Sequence, residues 1–396
     1  MLKKQSVTDL VRADLEGKRV FVRVDFNVPF ENGQISDDSR ISEALPTINY
    51  LCENGAKVIL ASHLGRPKGI DDSLRLTPVA KRLAELVQFP VQKADECVGS
   101  AVESQVSGLA SGSILLLENV RFHKEEEAND PAFAKQLASL ADLFVLDAFG
   151  TAHRAHASTA GMAHYIPAYA GLLVKKEIEF LDNAISNPKR PFVAIIGGSK
   201  VSSKIDVLRK LLSVVDTLII GGGMTFTFVK AQGGKIGNSL CEDSKIGEAL
   251  QFLEDAKKLS KKVIFPTDEV ITQDFSNESP SQIVNVHNIP DGWGGMDIGP
   301  DSIELFNDVI NGAGTVLWNG PVGVFEMDNF SKGTFAIAKT LANSSAITIV
   351  GGGDSASAIR KANLSEHFSH ISTGGGASLE FLEGKELPGI QALKDK

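Results

Sequence analysis

The sequence has few cysteines and no long apolar segment. Its three cysteines, Cys52, Cys97 and Cys241, share no metal-ligand spacing, which predicts reduced thiols and no disulfide framework. No stretch approaches the roughly 18 consecutive apolar residues of a membrane helix, and the charged N-terminus lacks the apolar core of a signal peptide. We therefore expect a cytoplasmic protein with no membrane partner.

The chain also lacks an excess of positive charge. It carries 40 Lys and Arg against 49 Asp and Glu, a formal net charge of −9, so a general attraction to nucleic acid is not expected. Any anionic ligand must be bound by a local group of basic residues. We expect small-molecule substrates as the partners, and a monomer.

The length and the order of elements predict two lobes. The 396 residues exceed the roughly 100 to 200 residues of one domain. Short apolar runs alternate with amphipathic segments, which predicts an α/β fold with a mainly parallel sheet flanked by helices in each lobe. Most arginines precede residue 170 and most glycines follow it. We place the lobes at 1–170 and 191–380, with a connecting helix and hinge at 171–190.

Basic and hydrogen-bonding side chains follow the predicted strands of the first lobe. Ligands of parallel sheets bind at the carboxyl ends of the strands, and several arginines together suit a phosphate dianion. A carboxylate and an amide in the same set suit a hydroxyl group, so the pattern predicts a small, phosphorylated and hydroxylated ligand. Surface ion pairs, or a metal site at the histidines, are the alternatives. The residues are Asp25, Asn27, His63, Arg66, Arg121 and Arg154.

Glycine-rich loops follow the predicted strands of the second lobe. Glycine lets the backbone approach a ligand closely, and two of the loops begin predicted helices, whose N-termini attract anions. We predict a nucleotide-phosphate site, with ligand-free turns as the alternative for any single loop. Neither a Walker A motif nor a G-x-G-x-x-G motif is present. The loops include Gly198, Gly222, Gly223, Asn319, Pro321, Gly352, Gly353, Ser355, Gly374 and Gly375.

Charged residues beside these loops suit phosphoryl transfer. Lys200 and Lys204 are four residues apart, one helical turn, and are candidates to neutralise a transferring phosphate. Asp354 follows a glycine triplet and is the expected Mg²⁺ ligand, since Mg²⁺ takes one or two carboxylates together with nucleotide phosphates. A helix N-cap role for Asp354 is compatible with that one. The two lobes together predict phosphoryl transfer across a cleft that closes.

Segments along essentially the whole chain resemble the signature segments of the phosphoglycerate kinase family, and they occur in the order of that family. The resemblance implies a fold of two α/β lobes, with the tail at 381–396 returning to the first lobe. It also implies glycolytic transfer of the acyl phosphate of 1,3-bisphosphoglycerate to ADP, giving ATP and 3-phosphoglycerate. The segments include VDFNVP (24–29), SHLGRPKG (62–69), DAFGTAHRAHAST (147–159), GGSKVSSKI (197–205), LWNGPVGVFE (317–326) and GGGDSASAI (351–359).

The resemblance also implies roles for single residues. Arg40 corresponds to the catalytic arginine of the family, Glu326 to its ribose contact and Asp354 to its Mg²⁺ loop. Asp25 and Asn27 correspond to residues that bind the hydroxyl and carboxyl end of the phosphoglycerate. Its phosphate is then bound by His63, Arg66, Arg121 and Arg154. The implied catalytic set is Arg40, Lys200, Lys204, Gly374 and Gly375.

The implied chemistry needs no covalent intermediate. The donor is an activated mixed anhydride, so positioning and charge neutralisation dominate an in-line transfer that follows domain closure. Three residues depart from the pattern of the family, namely Ser203, Ser355 and Gly294. A nicotinamide dehydrogenase and a two-lobed anion-binding protein are the rival functions. The preference for ATP over GTP and the net direction of the reaction stay open.

Overall fold

The computed structural model, which describes residues 3–396, divides into two compact units. One unit contains the residues up to Glu179 together with Glu386–Lys396, and the other contains Phe180–Lys385. A helix at Leu172–Ser186 occupies the segment where we expected a connecting helix. The chain therefore passes from the first unit to the second within this helix.

The first unit is built on a six-stranded sheet in which every pairing is parallel. A short antiparallel hairpin, β2 with β3, lies apart from this sheet. The strands are β1 (Arg19–Val24), β2 (Phe30–Glu31), β3 (Gln34–Ile35), β4 (Lys57–Ala61), β5 (Val91–Lys93), β6 (Ile114–Leu116), β7 (Leu143–Asp147) and β8 (Ala168–Ala170). The strand order in the sheet is β5-β6-β4-β1-β7-β8.

Amphipathic helices cover this sheet. Ile41, Ile48 and Leu51 lie on one face of α2 at helical spacing and are fully buried with Val22 and Leu60 of the sheet. The helices are α1 (Arg12–Leu15), α2 (Ser39–Glu53), α3 (Thr77–Leu86), α4 (Ser100–Gly108), α5 (Lys124–Glu127), α6 (Pro131–Ser139) and α7 (Leu172–Ser186). The C-terminal helix α15 (Pro388–Gln391) also belongs to this unit, and Gly389 N donates a hydrogen bond to Ala152 O at 2.9 Å.

The second unit also contains a six-stranded parallel sheet, in the order β12-β10-β9-β17-β18-β19. Its strands are β9 (Phe192–Ile196), β10 (Thr217–Ile220), β12 (Lys262–Ile264), β17 (Thr315–Asn319), β18 (Ile347–Gly351) and β19 (His370–Ile371). Its helices are α8 (Ile205–Val214), α9 (Thr225–Ala231), α10 (Ile246–Lys258), α11 (Pro300–Asn311), α12 (Lys332–Asn343), α13 (Gly353–Lys361) and α14 (Gly376–Leu382).

A smaller antiparallel sheet, which the sequence did not predict, completes the second unit. It has the order β14-β13-β16, and a separate pair of parallel strands is formed by β11 and β15. Their polar and glycine-containing sequences lack the apolar runs used to predict strands. The strands are β11 (Lys235–Ile236), β13 (Asp268–Thr272), β14 (Ser281–Asn285), β15 (Asn288–Ile289) and β16 (Gly294–Ile298).

The predicted fold class is confirmed, since both large sheets are parallel and alternate with helices along the chain. Nine short apolar runs of the sequence, among them RVFVRV and TVLWN, predict buried strands, and all nine form strands of the two parallel sheets. Helical patterns at 77–87 and 131–140 predict two helices, which end within one residue of the observed helices Thr77–Leu86 and Pro131–Ser139. No helix in residues 3–396 is long and apolar enough to cross a membrane.

A buried carboxyl group, Asp147 at the end of β7, holds the start of α7. Its Oδ1 atom accepts a hydrogen bond from Leu173 N at 2.9 Å. Gly171 is required beside it, because a Cβ atom there would overlap the Asp147 carboxyl group. Burial raises the pKa of Asp147 to about 7.

We expect the Asp147→Asn variant to gain stability relative to the wild type as the pH rises. An acid with a raised folded pKa keeps a proton that the unfolded chain has lost, so stability falls between the two pKa values, here 3.8 and about 7. Asparagine keeps the acceptor and cannot ionise. Urea unfolding gives the free energy of unfolding of each protein. The value for the variant minus that for the wild type should be roughly 1 to 3 kcal/mol larger at about pH 8 than at about pH 5. A difference that does not change with pH would contradict this.

Candidate active site

Four neighbouring strands of the first unit end beside the basic residues expected to bind a phosphorylated acid. β6, β4, β1 and β7 are adjacent and parallel, so their carboxyl ends share one edge of the sheet. Asp25 directly follows β1, His63 follows β4, and Arg121 and Arg154 lie in the segments after β6 and β7. Arg66 is exposed in the loop after β4. The topology thus brings the predicted residues to one edge.

Asp25 is paired with basic residues at this edge. Arg40, in the first turn of α2, donates a hydrogen bond from Nη1 to Asp25 Oδ2. His63 Nδ1 lies 3.8 Å from Asp25 Oδ1. Burial raises the pKa of Asp25, but the positive charges of Arg40 and Arg23 lower it, and the pKa lies below its usual value. Since arginine is always charged, the two guanidinium groups keep Asp25 ionised.

The loop after β4 is fixed by two of the predicted residues. Asn27 Oδ1 accepts a hydrogen bond from Gly65 N at 2.8 Å, and Arg121 Nη1 donates one to Gly65 O at 2.7 Å. Arg121 Nε also lies 3.1 Å from Glu127 Oε1. The amide oxygen of Asn27, which we expected to face a substrate hydroxyl, therefore holds this loop.

A fully buried arginine, Arg23 in β1, lies behind these residues and is 1% exposed. Its Nε atom donates a hydrogen bond to Ser158 Oγ at 2.7 Å, its Nη1 atom donates to Val24 O, and its Nη2 atom lies 3.2 Å from His63 Nδ1. Glu126, also fully buried, accepts hydrogen bonds from Ser158 N at 2.9 Å and Ser158 Oγ at 2.5 Å. The guanidinium group thus links the loops after β4 and β7.

A cleft of about 530 Å³ lies among the glycine loops of the second unit. Gly222 has a φ of +70°, and a Cβ atom on it would lie 2.8 Å from Gly198 N. Both the backbone conformation and the lack of space therefore require glycine at this position. The cleft also has an apolar wall that the sequence did not reveal, formed by Phe226, Leu240, Met296 and Val324. Six predicted nucleotide-site residues line the cleft, namely Gly198, Gly222, Gly223, Pro321, Glu326 and Asp354.

Other predicted residues support the loops of this cleft. Lys204 Nζ donates a hydrogen bond to Asn319 Oδ1 at 2.6 Å. Burial lowers the pKa of Lys204, and Asp354 and Glu383 oppose that shift. The Ser355 hydroxyl is fully buried and accepts a hydrogen bond from Gly320 N at 2.7 Å. Ser355 therefore holds the loop after β17 and does not line the cleft.

The two lysines do not lie one turn apart on a helix, which corrects the sequence-based expectation. Lys200 has an extended backbone and is exposed, and a short 3-10 helix at Val201–Ser203 separates it from Lys204. Lys204 directly precedes α8. The predicted helical spacing failed because GGSKVSSK forms a loop and one 3-10 turn before α8 begins.

The remaining glycines lie at the starts of two helices. Gly352 has φ of +89° and caps α13, in which Gly353 and Asp354 form the first turn. Gly375 has φ of +51° and caps α14, and the preceding Gly374 donates a hydrogen bond from N to Ser372 Oγ at 3.1 Å. Neither conformation suits a residue with a side chain.

No group of three or more His, Cys, Asp or Glu side chains within residues 3–396 has an arrangement that could hold a metal ion by itself. Asp354 is instead an exposed single carboxylate at the start of α13. That arrangement suits a metal that takes most of its ligands from a bound nucleotide and from water.

Comparison with known proteins identifies the family. Residues 8–385 match the family described as phosphoglycerate kinase. The chain belongs to the phosphoglycerate kinase family. A phosphoglycerate kinase of Dictyoglomus turgidum is 56% identical over 394 residues, which cover 99% of this chain and 100% of that protein. A phosphoglycerate kinase of Picosynechococcus is 58% identical over 398 residues and 99% of both chains.

A solved structure agrees with this membership. The phosphoglycerate kinase of Coxiella burnetii superposes with a TM-score of 0.88 at 43% identity, and the match covers 98% of both chains. The family resemblance, the two-lobed α/β class and the prediction of a glycolytic kinase are therefore confirmed.

In this member of the phosphoglycerate kinase family, Arg23 fixes the protonation of His63. Arginine only donates hydrogen bonds, so His63 Nδ1 must be the acceptor of the contact with Arg23. Burial, with help from Arg23, Arg121 and Arg40, holds the pKa of His63 well below its usual value although Asp25 opposes this. His63 is thus a neutral imidazole that carries its proton on Nε2.

We expect His63 to keep its proton on Nε2 throughout the physiological pH range. A proton on Nδ1 would remove the acceptor of the hydrogen bond from Arg23 and bring two N–H donors together. Nitrogen NMR of the histidine rings should show no titration of this residue between about pH 5.5 and 8. The His63→Gln variant assigns its signal. A midpoint near its usual value, or an Nδ1–H tautomer, would contradict the role of Arg23.

Proposed function

We propose that the chain reversibly transfers the acyl phosphate of 1,3-bisphosphoglycerate to ADP, giving ATP and 3-phosphoglycerate. The observation that carries the proposal is the convergence of arginines, a neutral histidine and an ionised aspartate at one sheet edge of a family member. A coupled assay of ATP-dependent phosphorylation of 3-phosphoglycerate tests it directly. Lack of turnover in folded protein would contradict it.

The proposed acid site uses charge and hydrogen bonding separately. Arg66, Arg121 and Arg154 supply the positive charge for the phosphate group, since arginine forks suit phosphate oxygens. His63 donates one hydrogen bond from Nε2 and adds no charge. Asp25, held ionised, accepts a hydrogen bond from the substrate hydroxyl, and Asn27 positions the loop that carries Arg66.

The proposed nucleotide site places phosphates at backbone amides. The N-terminus of α13 and the loop at Gly198 present N–H groups to an anion, and Lys204, fixed by Asn319, adds a charge. Glu326, which lines the cleft, is proposed to bind the ribose. The other proposed nucleotide-binding residues are Gly222, Gly223, Asn319, Pro321, Gly352, Gly353 and Asp354, and Ser355 supports them through its hydrogen bond to Gly320. The proposed catalytic set is Arg40, Lys200, Lys204, Gly374 and Gly375.

Mg²⁺ is proposed to bind at Asp354 together with nucleotide phosphates. The single exposed carboxylate in the first turn of α13 fits this requirement. When bound, Mg²⁺ supplies charge neutralisation to the phosphate oxygens. The chain contributes positioning and fixed positive charge to the in-line transfer, and it supplies no nucleophile of its own.

The proposal includes a monomer in the cytoplasm. Support comes from the thiols: Cys52 and Cys97 are buried and free, and Cys241 is free and partly exposed. Burial raises the pKa of Cys52 to about 12 and that of Cys97 well above its usual value, so these two thiols resist oxidation. Size-exclusion chromatography with light scattering tests the monomer.

Arg40→Ala should lower kcat by about 10³-fold to 10⁵-fold, the range for an arginine that stabilises charge in phosphoryl transfer. Thermal stability should fall only modestly, because the Arg40 side chain is 37% exposed and the buried Arg23 still opposes the charge of Asp25, whose side chain is 12% exposed. Arg12→Ala is the matched control, since it removes an exposed arginine paired with Glu16 in the same unit. A variant that keeps more than about a tenth of kcat would contradict the role.

Asp354→Asn should separate folding from metal binding. The expected N-cap role of Asp354 is wrong, because Gly352 is the N-cap and Asp354 lies in the first turn of α13. Asparagine keeps the size of the side chain but loses the charge that Mg²⁺ needs. We expect normal thermal unfolding and a much higher Mg²⁺ concentration at half-maximal rate. Asp301→Asn, in the first turn of α11, controls for loss of an acid at a helix start. An unchanged Mg²⁺ dependence would leave Asp354 only as an acid that interacts with the N-terminal dipole of α13.

A further inference from the structure

One acidic side chain in the nucleotide cleft differs from all the others. Glu269, in β13, borders the cleft but is only 3% exposed. The other acids that line the cleft, Asp274, Glu326 and Asp354, are exposed to water. Glu269 is therefore a buried carboxyl group with one side toward the cleft.

The carboxyl group of Glu269 has no hydrogen-bond partner among residues 3–396, whereas its acidic neighbours do. Asp268 accepts hydrogen bonds from Ser302 N at 2.8 Å and from the Ser302 hydroxyl at 2.5 Å. Asp297 accepts one from Gly333 N at 2.8 Å. A buried polar group without a partner costs free energy, so, of these three buried acids, Glu269 is the one whose carboxyl group a cleft ligand could still satisfy.

Glu269 is a neutral acid in this environment. Burial raises its pKa well above the usual value, and Asp297 on the paired strand β16 and Asp268 on its own strand add to that effect. The exposed acids of the cleft are negative too, and none of the groups acting on Glu269 is a cation. A protonated carboxyl offers an O–H donor beside a C=O acceptor, as in other active sites where an apolar environment keeps an acid neutral.

The position of Glu269 favours the base of a nucleotide over its phosphates. The apolar wall of the cleft (Phe226, Leu240, Met296 and Val324) suits an aromatic ring. Lys204 and Asp354, which are proposed to bind the nucleotide phosphates and their Mg²⁺, are not among the charged residues that act on Glu269. A phosphate beside Glu269 would meet acidic groups and no positive charge, whereas a neutral base edge would meet a donor and an acceptor.

We propose that Glu269, as a carboxylic acid, binds the adenine base in the cleft, accepting from the exocyclic amino group and donating to the adjacent ring nitrogen. This inference rests on the proposed function, because it requires that the nucleotide occupies the cleft. Gln and Asn make the same two-point contact with adenine in nucleic-acid recognition. Glu269 thereby becomes a specificity residue for adenine nucleotides.

The proposal makes nucleotide choice depend on pH. An ionised carboxylate can only accept hydrogen bonds, so it repels the ring nitrogen of adenine but matches the two neighbouring N–H groups of guanine. The adenine complex keeps the proton, so adenine affinity falls as the pH rises through the pKa of Glu269. Guanine affinity does not fall in the same way, and both nucleotides carry the same phosphates.

Calorimetric titration with ADP and GDP tests this in the full-length chain at about pH 6.5 and 8.5, a range in which buried glutamic acids titrate. In the wild type, the ratio of ADP to GDP affinity should fall on the order of tenfold with this rise in pH. Glu269→Gln should keep the ADP preference at both values, because glutamine has a donor and an acceptor and no charge. Glu269→Leu should lose that preference at both.

Controls separate the possible failures. Glu254→Gln, an exposed glutamate of α10, should behave as the wild type, and thermal unfolding checks that each variant folds. Asp297, whose pKa burial raises to about 7, titrates in every variant and so cancels from the comparison. The inference would be overturned if the ratio of ADP to GDP affinity, at both pH values, agreed within twofold among the wild type and both Glu269 variants. Lack of 3-phosphoglycerate phosphorylation by the wild type would instead overturn the proposed function.

Discussion

The first unit depends on one constraint: the guanidinium group of Arg23 is permanently charged and is buried. A buried charge that loses its partner costs several kcal/mol, so the group needs hydrogen-bond acceptors and an opposite charge nearby. Ser158, Val24 and His63 each accept one hydrogen bond from it, and Glu126 supplies the opposite charge. Because Ser158 and His63 follow different strands, satisfying one charge fixes two loops at the edge where the acid site lies.

The anion site proposed in the second unit relies, among residues 3–396, on glycine loops and not on a buried arginine. Its loops approach each other so closely that a Cβ atom on Gly197 would overlap the carbonyl oxygens of Gly320 and Pro321, and Ser355 ties the same loop to α13. Backbone dipoles and a helix N-terminus then provide the positive potential. Such a site imposes little charge of its own, which suits a ligand that brings its own metal ion.

The sequence predicted those parts of the fold and site that depend on strong local patterns. Apolar runs and capping residues located the parallel strands and several helices, and residues directly after strands reached the expected edge because parallel topology aligns strand ends. Arg23 was missed because it lies within the predicted strand RVFVRV. Only the burial of the neighbouring residues in the structure shows that its side chain is buried too. Glu269 was missed because its strand, DEVIT, lacks the apolar character of a buried strand. Lys200 was misplaced because a 3-10 turn cannot be told from helical spacing.

Several titratable groups in these sites are held in the neutral form by their surroundings. Burial and nearby arginines keep His63 neutral and lower the pKa of His156 to about 4, while burial and nearby acids keep Glu269 neutral. A neutral imidazole or carboxyl group can act as a directional donor and acceptor of hydrogen bonds. In the proposed sites, positive charge comes from Arg66, Arg121 and Arg154 beside the acid and from Lys204 beside the nucleotide. This separation of charge from hydrogen bonding would let a protein with a net charge of −9 bind anions, because positive charge is concentrated where phosphate oxygens are expected.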